Sequence, residues 1–223
     1  MNASIKTLYS CLAIAVYFFG CTPDKPQDTS AVKEEMKSRE LVRVTDGELM
    51  ARGNELGIEI VKVSQGTLQK ALLQAIEKDG LVGAVGYCNA NAYDIVKNLE
   101  DSLNVKIKRV SQKPRNPLDK PDSVESAILE AYAYDFSPTN AVNQLMELDE
   151  DNLIFTQPIA IANGLCLNCH GAAGEQVHDE VLAAIQSKYP EDKALGYSLG
   201  ELRGMWSVKI PKKTVVNSLT QTK

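Results

Sequence analysis

Two cysteines and a histidine stand close together in the last third of the chain, as Cys166, Cys169 and His170. Their spacing, CxxCH, is that of covalent haem c attachment. Two thiols at this spacing add to the two vinyl groups of a haem, and the neutral imidazole beside them binds the iron from one face. Gly171 follows and is expected to let the chain turn away close to the porphyrin. The segment predicts one covalent haem c on Cys166, Cys169 and His170.

Two other chemistries use the same residue types. Zinc needs four ligands, which Cys166, Cys169 and Cys88 could supply together with His170 or His178, but the sequence has no second CxxC or HxxxH pair. A dithiol oxidoreductase would place its first cysteine at a helix N-terminus after a thioredoxin-like strand, and it has no need of His170. Both chemistries stay open as alternatives to the haem.

Residues 1–20 have the pattern of an export signal, with Lys6 ahead of an apolar run that is short for a membrane-spanning helix. The run ends in Phe-Phe-Gly-Cys at 18–21, which resembles a bacterial lipobox although Phe18 stands where leucine is usual. Lipid on Cys21 and a polar, Pro-rich tether at 21–31 predict attachment to a membrane from the periplasm. The alternative is cleavage near Gly20 that leaves Cys21 free.

Charge and cysteine count narrow the function classes. A formal net charge of -5 without a basic stripe argues against nucleic acid as a partner. Of the 5 cysteines, Cys11 would leave with the signal and Cys21 would carry lipid. Cys88, Cys166 and Cys169 remain, and an odd number in an exported protein does not suit a disulfide framework.

Hydrophobic periodicity predicts the elements that must position these residues. Helices are expected over Val32–Met50, from Ser64 or Thr67 to Gly80, from Cys88 to Leu103, after Asp122 or Ser123, and over Val177–Lys188. Strands are expected over Val105–Val110, Leu153–Pro158 and Leu202–Ile210, with a loop over Ala160–Gly174 and a basic tail. This order is typical of a mixed α+β domain with an antiparallel sheet, which we place at residues 32–223.

A wider set of residues carries a resemblance to a known family. The set comprises Arg109–Pro117 (RVSQKPRNP), Pro121, Glu125, CLNCHG at 166–171, Tyr189, Pro190, Asp192, Ala194, Gly196, Tyr197, Gly200, Arg203, Gly204 and Ser207. In this order the residues resemble the DUF3365, or Tll0287-like, haem-binding family. The resemblance implies a PAS-like α+β fold, a single haem c, and axial ligation by His170 and Cys88. Asp119 departs from the family, which usually has Asn there.

The alternatives for the second axial ligand come from the same chain. Cys88 has no other assigned role, although a buried thiol also serves as a small hydrophobic side chain. Met146, in an apolar pattern of helical period, and Met205, in the last strand, are expected in the core. His178, at the start of a polar helix, is expected at the surface.

Arg115 and Arg203 are candidates for contacts with the haem propionates, since guanidinium suits carboxylate geometry. An ordinary surface role for both is the alternative.

An iron with two protein ligands has no open position for a substrate, so enzymatic oxygen or peroxide chemistry is not expected. Electron transfer with a redox partner protein is the first prediction. The second is a redox or gas sensor in which the cysteine ligand detaches and changes the shape of the domain. Because no output domain is recognisable in the sequence, a sensor would signal through a partner.

Overall fold

The computed structural model describes residues 29–38 and 43–221. The predicted signal peptide, the predicted lipidation site Cys21 and most of the predicted tether lie outside the described residues. The chain divides after Val42 into two units. In the first unit the described element is helix α1 (Ser30–Ser38); the second unit starts at Arg43.

Helix α2 (Asp46–Leu103) is the longest element of the second unit. It starts with a capping box, in which the Glu48 N–H donates to the Thr45 hydroxyl at 3.2 Å and the Thr45 N–H donates to the Glu48 carboxylate at 2.9 Å. Thr45 is extended, so the predicted continuous helix over Val32–Met50 is wrong. The predicted stop at Gly80 is confirmed, because Gly80 has φ +68° and divides α2 into two helical segments. The second segment resumes at once, so Cys88 lies inside a helix rather than at its entrance.

Four antiparallel strands form one sheet in the order β1-β4-β3-β2. They are β1 (Lys106–Val110), β2 (Gln144–Glu147), β3 (Asn152–Ala160) and β4 (Leu202–Pro211). The three predicted strands correspond to β1, β3 and β4. Strand β2 was not expected, and the helical pattern assigned around Met146 is wrong because this residue pairs with Ile154 in the sheet.

Each face of the sheet packs against helices. Successive side chains of a strand point to opposite faces, and apolar side chains on both faces are buried in this way. Phe155, Trp206 and Val208 pack with Ile60 and Val61 of α2. On the other face Met205 and Ile154 pack with α3 (Ser123–Tyr134), whose predicted apolar stripe Ile128, Leu129 and Tyr132 is confirmed. The predicted PAS-like α+β fold, with a helix-flanked antiparallel sheet after an N-terminal helix, is confirmed.

The remaining helices are short. They are α4 (Gly164–His170), α5 (Asp179–Lys188) and α6 (Lys212–Gln221), and a 3-10 turn covers Pro117–Asp119. Helix α5 confirms its prediction and packs Val181 and Ile185 on Val85 of α2. The basic tail forms α6, and its Val215 is buried in the core. In the described part of the chain no helix is both long and apolar enough to cross a membrane.

Candidate haem site

The CxxCH motif lies on helix α4 rather than in the predicted loop. Asn163 caps the helix by accepting the N–H of Leu165 at 3.0 Å, and its carbonyl oxygen lies 3.7 Å from the Cys166 sulfur. Residues three and four apart share a helix face, so Cys166, Cys169 and His170 project together. The helix ends at Gly171, whose φ of -71° is open to any residue. Glycine is needed there for space, since a Cβ would lie 2.7 Å from the Leu167 carbonyl oxygen.

The thiols of Cys88, Cys166 and Cys169 are all free of disulfide bonds. Burial raises the pKa of Cys169, the nearby Arg115 opposes this shift, and the Cys88 thiol adds to it. Cys169 packs in the hydrophobic cluster that contains Val85 of α2, and Cys88 follows Val85 by about one helical turn, so the second segment of α2 and helix α4 meet in this region. The structure therefore places Cys88 beside the CxxCH motif, 81 positions before Cys169 in the sequence.

His170 is held by a backbone carbonyl. Its Nδ1–H donates to the Ala194 carbonyl oxygen at 2.8 Å, which leaves Nε2 with the free lone pair that binds a metal. The Tyr197 N–H donates to the His170 carbonyl at 2.9 Å, and the Tyr197 ring meets the imidazole edge-on at 6.3 Å. Burial, and then the positive charges of Arg203 and Arg115, hold the pKa of His170 well below its usual range. The imidazole is thus oriented and neutral, as an iron ligand requires.

Arg115 connects the loop after β1 to the motif. Its Nε donates to Asp192 Oδ1 at 3.1 Å, and one terminal nitrogen donates to Asp192 Oδ2 at 3.2 Å. The same nitrogen donates to the carbonyl of Cys169, at the end of α4. Asp192 in turn accepts the Ala194 N–H at 2.9 Å. One buried ion pair therefore fixes both the motif helix and the residue whose carbonyl orients His170.

Arg203 lies on the same side of the domain with fewer partners. One of its terminal nitrogens donates to the Lys113 carbonyl at 3.2 Å, and its guanidinium stacks on Tyr197 at 5.5 Å. Its Nε is buried and has no hydrogen-bond partner. Burial lowers the pKa of Arg203, and Arg115 and Arg109 shift it in the same direction. A buried donor without an acceptor is uncommon in a folded protein and needs an explanation.

Cys88 lies two turns into the second segment of α2, partly buried. Burial raises its pKa, and Arg109 and Arg115 oppose the shift. On the same segment the Asn89 side chain donates to the Lys188 carbonyl at 3.3 Å, which fixes the segment against α5. The role of Cys88 as an iron ligand stays a prediction.

The other candidates lie elsewhere. Met205 is fully buried in the core against α3, as expected, and Met146 packs beside it at the edge of the same cluster. His178 is the exposed N-cap residue of α5, as expected, and its side chain makes no capping bond. Within residues 29–38 and 43–221, no three side chains of His, Cys, Asp or Glu are grouped as a metal site of their own would require. A zinc site of the kind considered above finds no support in this arrangement.

Sequence reasoning assigned no role to three residues that the structure places at the site. Asp192 and Ala194 were part of the family pattern, but their function depends on contacts with Arg115 and His170. Arg109 was also in the pattern. Its guanidinium lies over the Trp206 ring at 5.8 Å and acts electrostatically on both Cys88 and His170.

Comparison with known proteins identifies the family of the chain. The model of the Tll0287-like family (Tll0287) matches residues 27–211. The chain belongs to the Tll0287-like family. A crystal structure of the cyanobacterial heme-protein Tll0287 resembles it with a TM-score of 0.47 and 25% sequence identity, over 66% of this chain and 94% of that chain. A comparison with curated proteins found no match.

Proposed function

We propose that this chain is an exported, lipid-anchored, monohaem c-type cytochrome that transfers electrons. In this proposal Cys166 and Cys169 hold the haem covalently, and His170 and Cys88 are the axial ligands. The bound haem supplies a one-electron couple, taking an electron from a donor protein and passing it to an acceptor. The single observation that carries the proposal is His170, which burial keeps neutral and the Ala194 carbonyl orients with Nε2 free, on a helix face shared with two unpaired thiols.

The residues present fit a haem c. Two thiols at the required spacing share a helix face with an oriented imidazole, and a third thiol lies beside them. The buried Arg203 Nε lacks an acceptor, which a haem carboxylate would supply. The membership in the family and the heme-protein name of a solved relative are consistent with this.

The residues around the motif each have a defined task. Ala194 and Tyr197 hold His170 in one orientation, and the Arg115–Asp192 pair holds α4. Cys88 would hold the iron through its sulfur, and a thiolate there would stabilise the ferric state and lower the reduction potential. Reversible electron transfer requires that both ligands stay bound in each oxidation state.

Absorption spectra of the full chain, coexpressed with haem c maturation machinery, test the proposal. We expect a low-spin ferric spectrum, reversible reduction, and haem that stays attached after denaturation. Replacing Cys88 by Ala should alter the spectrum and raise the reduction potential, while Tyr87→Phe, the outward-facing neighbour on the same helix, should alter neither. Loss of the haem on denaturation, or an unchanged Cys88→Ala spectrum, would contradict the attachment and the ligation respectively.

A haem-based redox or gas sensor that signals through a partner is the second candidate, favoured if reduction of the protein displaces Cys88. Resonance Raman spectra of the ferric and ferrous forms separate the two: an unchanged coordination supports the carrier, and ligand exchange supports the sensor.

Membrane attachment is tested by fractionating cells that express the chain with Cys21→Ser. We expect this variant to leave the membrane fraction, and retention there would contradict lipidation of Cys21.

A further inference from the structure

Three guanidinium groups converge on the candidate haem site. Arg115 donates to the carbonyl of Cys169, Arg203 stacks on the Tyr197 ring that meets His170, and Arg109 lies over Trp206 of β4, the strand that carries Arg203. Two carboxylates lie among them. Asp192 is paired with Arg115, and Asp119 accepts a hydrogen bond from the Tyr93 hydroxyl at 2.7 Å. The site therefore holds more positive than negative charge, and two of the three arginines lack a carboxylate partner.

Two of the three guanidinium nitrogens of Arg115 are already in hydrogen bonds. Its Nε and one terminal nitrogen bind the two Asp192 oxygens, and that nitrogen also meets the carbonyls of Cys169 and Ala194. The side chains of Arg115 and Asp192 are only 13% and 6% exposed. Both bidentate edges of the guanidinium include the occupied terminal nitrogen, so a second carboxylate could reach only the other terminal nitrogen, which argues against the propionate role predicted for Arg115 from the sequence.

Arg203 is the opposite case. Its buried Nε has no acceptor, although one terminal nitrogen reaches the Lys113 carbonyl. A cavity of about 280 Å³ lies beside it, with Lys113 and Tyr197 also in its wall. Glu201 lines the same cavity, but its carboxylate accepts the Ser198 N–H at 3.1 Å. The protein thus leaves a buried guanidinium donor next to an open space.

Arg109 supplies a second unused cation. Within the part of the chain that the structure describes, its guanidinium takes part in no hydrogen bond or salt bridge, and its contact is the face of Trp206 at 5.8 Å. Register places Arg109 opposite Trp206 on adjacent strands, so both side chains leave the sheet on the face that α2 covers. Tyr93 of α2 donates to Asp119, in the turn that follows β1, at 2.7 Å, so the segment of α2 that carries Cys88 reaches the end of the strand on which Arg109 lies.

We propose that Arg109 and Arg203 each bind one of the two haem propionates, and that Arg115 is a positioning residue for the CxxCH helix. The proposal rests on the haem binding proposed above and names the residues that recognise the carboxylates of that haem. Guanidinium binds a carboxylate through parallel N–H donors, and these two arginines still have such donors to offer.

Resonance Raman spectroscopy of the haem-loaded full chain tests it through the propionate bending band, which responds to hydrogen bonds on the carboxylates. Arg109→Gln and Arg203→Gln should each shift this band and lower the reduction potential, because a positive charge next to the ferrous haem is lost. Arg109→Lys should retain most of the potential. Lys106→Gln, which removes an exposed charge from the same strand, should leave the band in place.

Arg115→Gln should behave differently. It should reduce the fraction of chains with covalent haem and perturb the axial-ligand vibrations, while the propionate band stays at the wild-type position.

Wild-type band positions in both Arg109→Gln and Arg203→Gln would overturn the proposal, as would a propionate shift confined to Arg115→Gln. If Arg203→Gln does not fold, the propionate band of Arg109→Gln, a substitution at an exposed position, decides the outcome alone. A wild-type chain without covalent haem would refute the proposed function itself, whereas a loaded wild type with unresponsive arginine variants refutes only this assignment.

Discussion

Replacing Asp192 by Ala tests how strongly one buried ion pair supports the site. The substitution removes the acceptor of two Arg115 donors at 3.1 and 3.2 Å and of the Ala194 N–H at 2.9 Å. Arg115, 13% exposed, is left as a buried charge without its partner. Breaking a buried pair in this way costs about 3–5 kcal/mol of unfolding free energy, against roughly 5–15 kcal/mol for a typical domain.

The measurement is urea denaturation followed by circular dichroism and by the haem absorption band. We expect a large drop in the midpoint and, before unfolding, a loss of uniform axial coordination because Ala194 no longer holds His170 firmly. Asp101→Ala is the matched control, since its partner Lys97 and Asp101 itself are exposed, and its midpoint should hardly change. An Asp192→Ala loss below about 1 kcal/mol, the value of a surface pair, would refute the reasoning.

A double substitution separates charge burial from the other contacts of this pair. Arg115→Met combined with Asp192→Leu leaves no buried charge, so it should be more stable than Asp192→Ala alone. If the double variant is less stable than Asp192→Ala, the cost lies in the hydrogen bonds that Arg115 donates to the carbonyls of Cys169 and Ala194 rather than in the unpaired charge.

Two further predictions follow from packing and from titration. Gly57→Ala should cost about 1–3 kcal/mol, because its Cβ would lie 2.2 Å from the ring of Phe155, whereas Gly66→Ala on the open face of the same helix should stabilise by about 0.5–1 kcal/mol. Equal urea midpoints for the two variants would contradict this packing. Burial raises the pKa of Asp119, so the folded chain holds this proton more tightly than the unfolded chain, and stability falls as pH rises above the ordinary value of about 3.9. Asp119→Asn, which can still accept from Tyr93, should therefore gain stability over wild type at pH 7 but not at pH 3; a gain of the same size at both would contradict it.

Local signals in the sequence were enough for much of the fold. The stop at Gly80, the stripe of α3 and the strands β1, β3 and β4 depend on backbone freedom and hydrophobic period, which act over a few residues. Strand β2 is only four residues long and pairs at the edge of the sheet, so its period could not be told from that of a helix. The helix break at Thr45 becomes visible only from the capping box between Thr45 and Glu48. In the sequence, the surrounding residues are charged and favour a helix, so they do not indicate a break.

The CxxCH motif could also be identified from the sequence, because the predicted covalent attachment of haem depends on residues within five positions of one another. That short range is why Cys166, Cys169 and His170 could be identified as a unit, and why the position of Cys88 in the site could be expected only through the family resemblance. Cys88 comes near Cys169 only because α2 packs against α4 and α5 in the folded domain.

What the sequence determined by itself is the CxxCH spacing, from which covalent haem attachment is predicted, and the α+β class, because both follow from covalent order and short periods. Only the tertiary structure decided which arginine pairs with a carboxylate and which keeps a donor without an acceptor. Arg115 and Arg203 have the same side chain and the same formal charge, and they differ in whether Asp192, 77 positions away, comes within hydrogen-bond distance. Such contacts depend on how the chain packs, since a hydrogen bond responds to distance in space and not to distance along the chain.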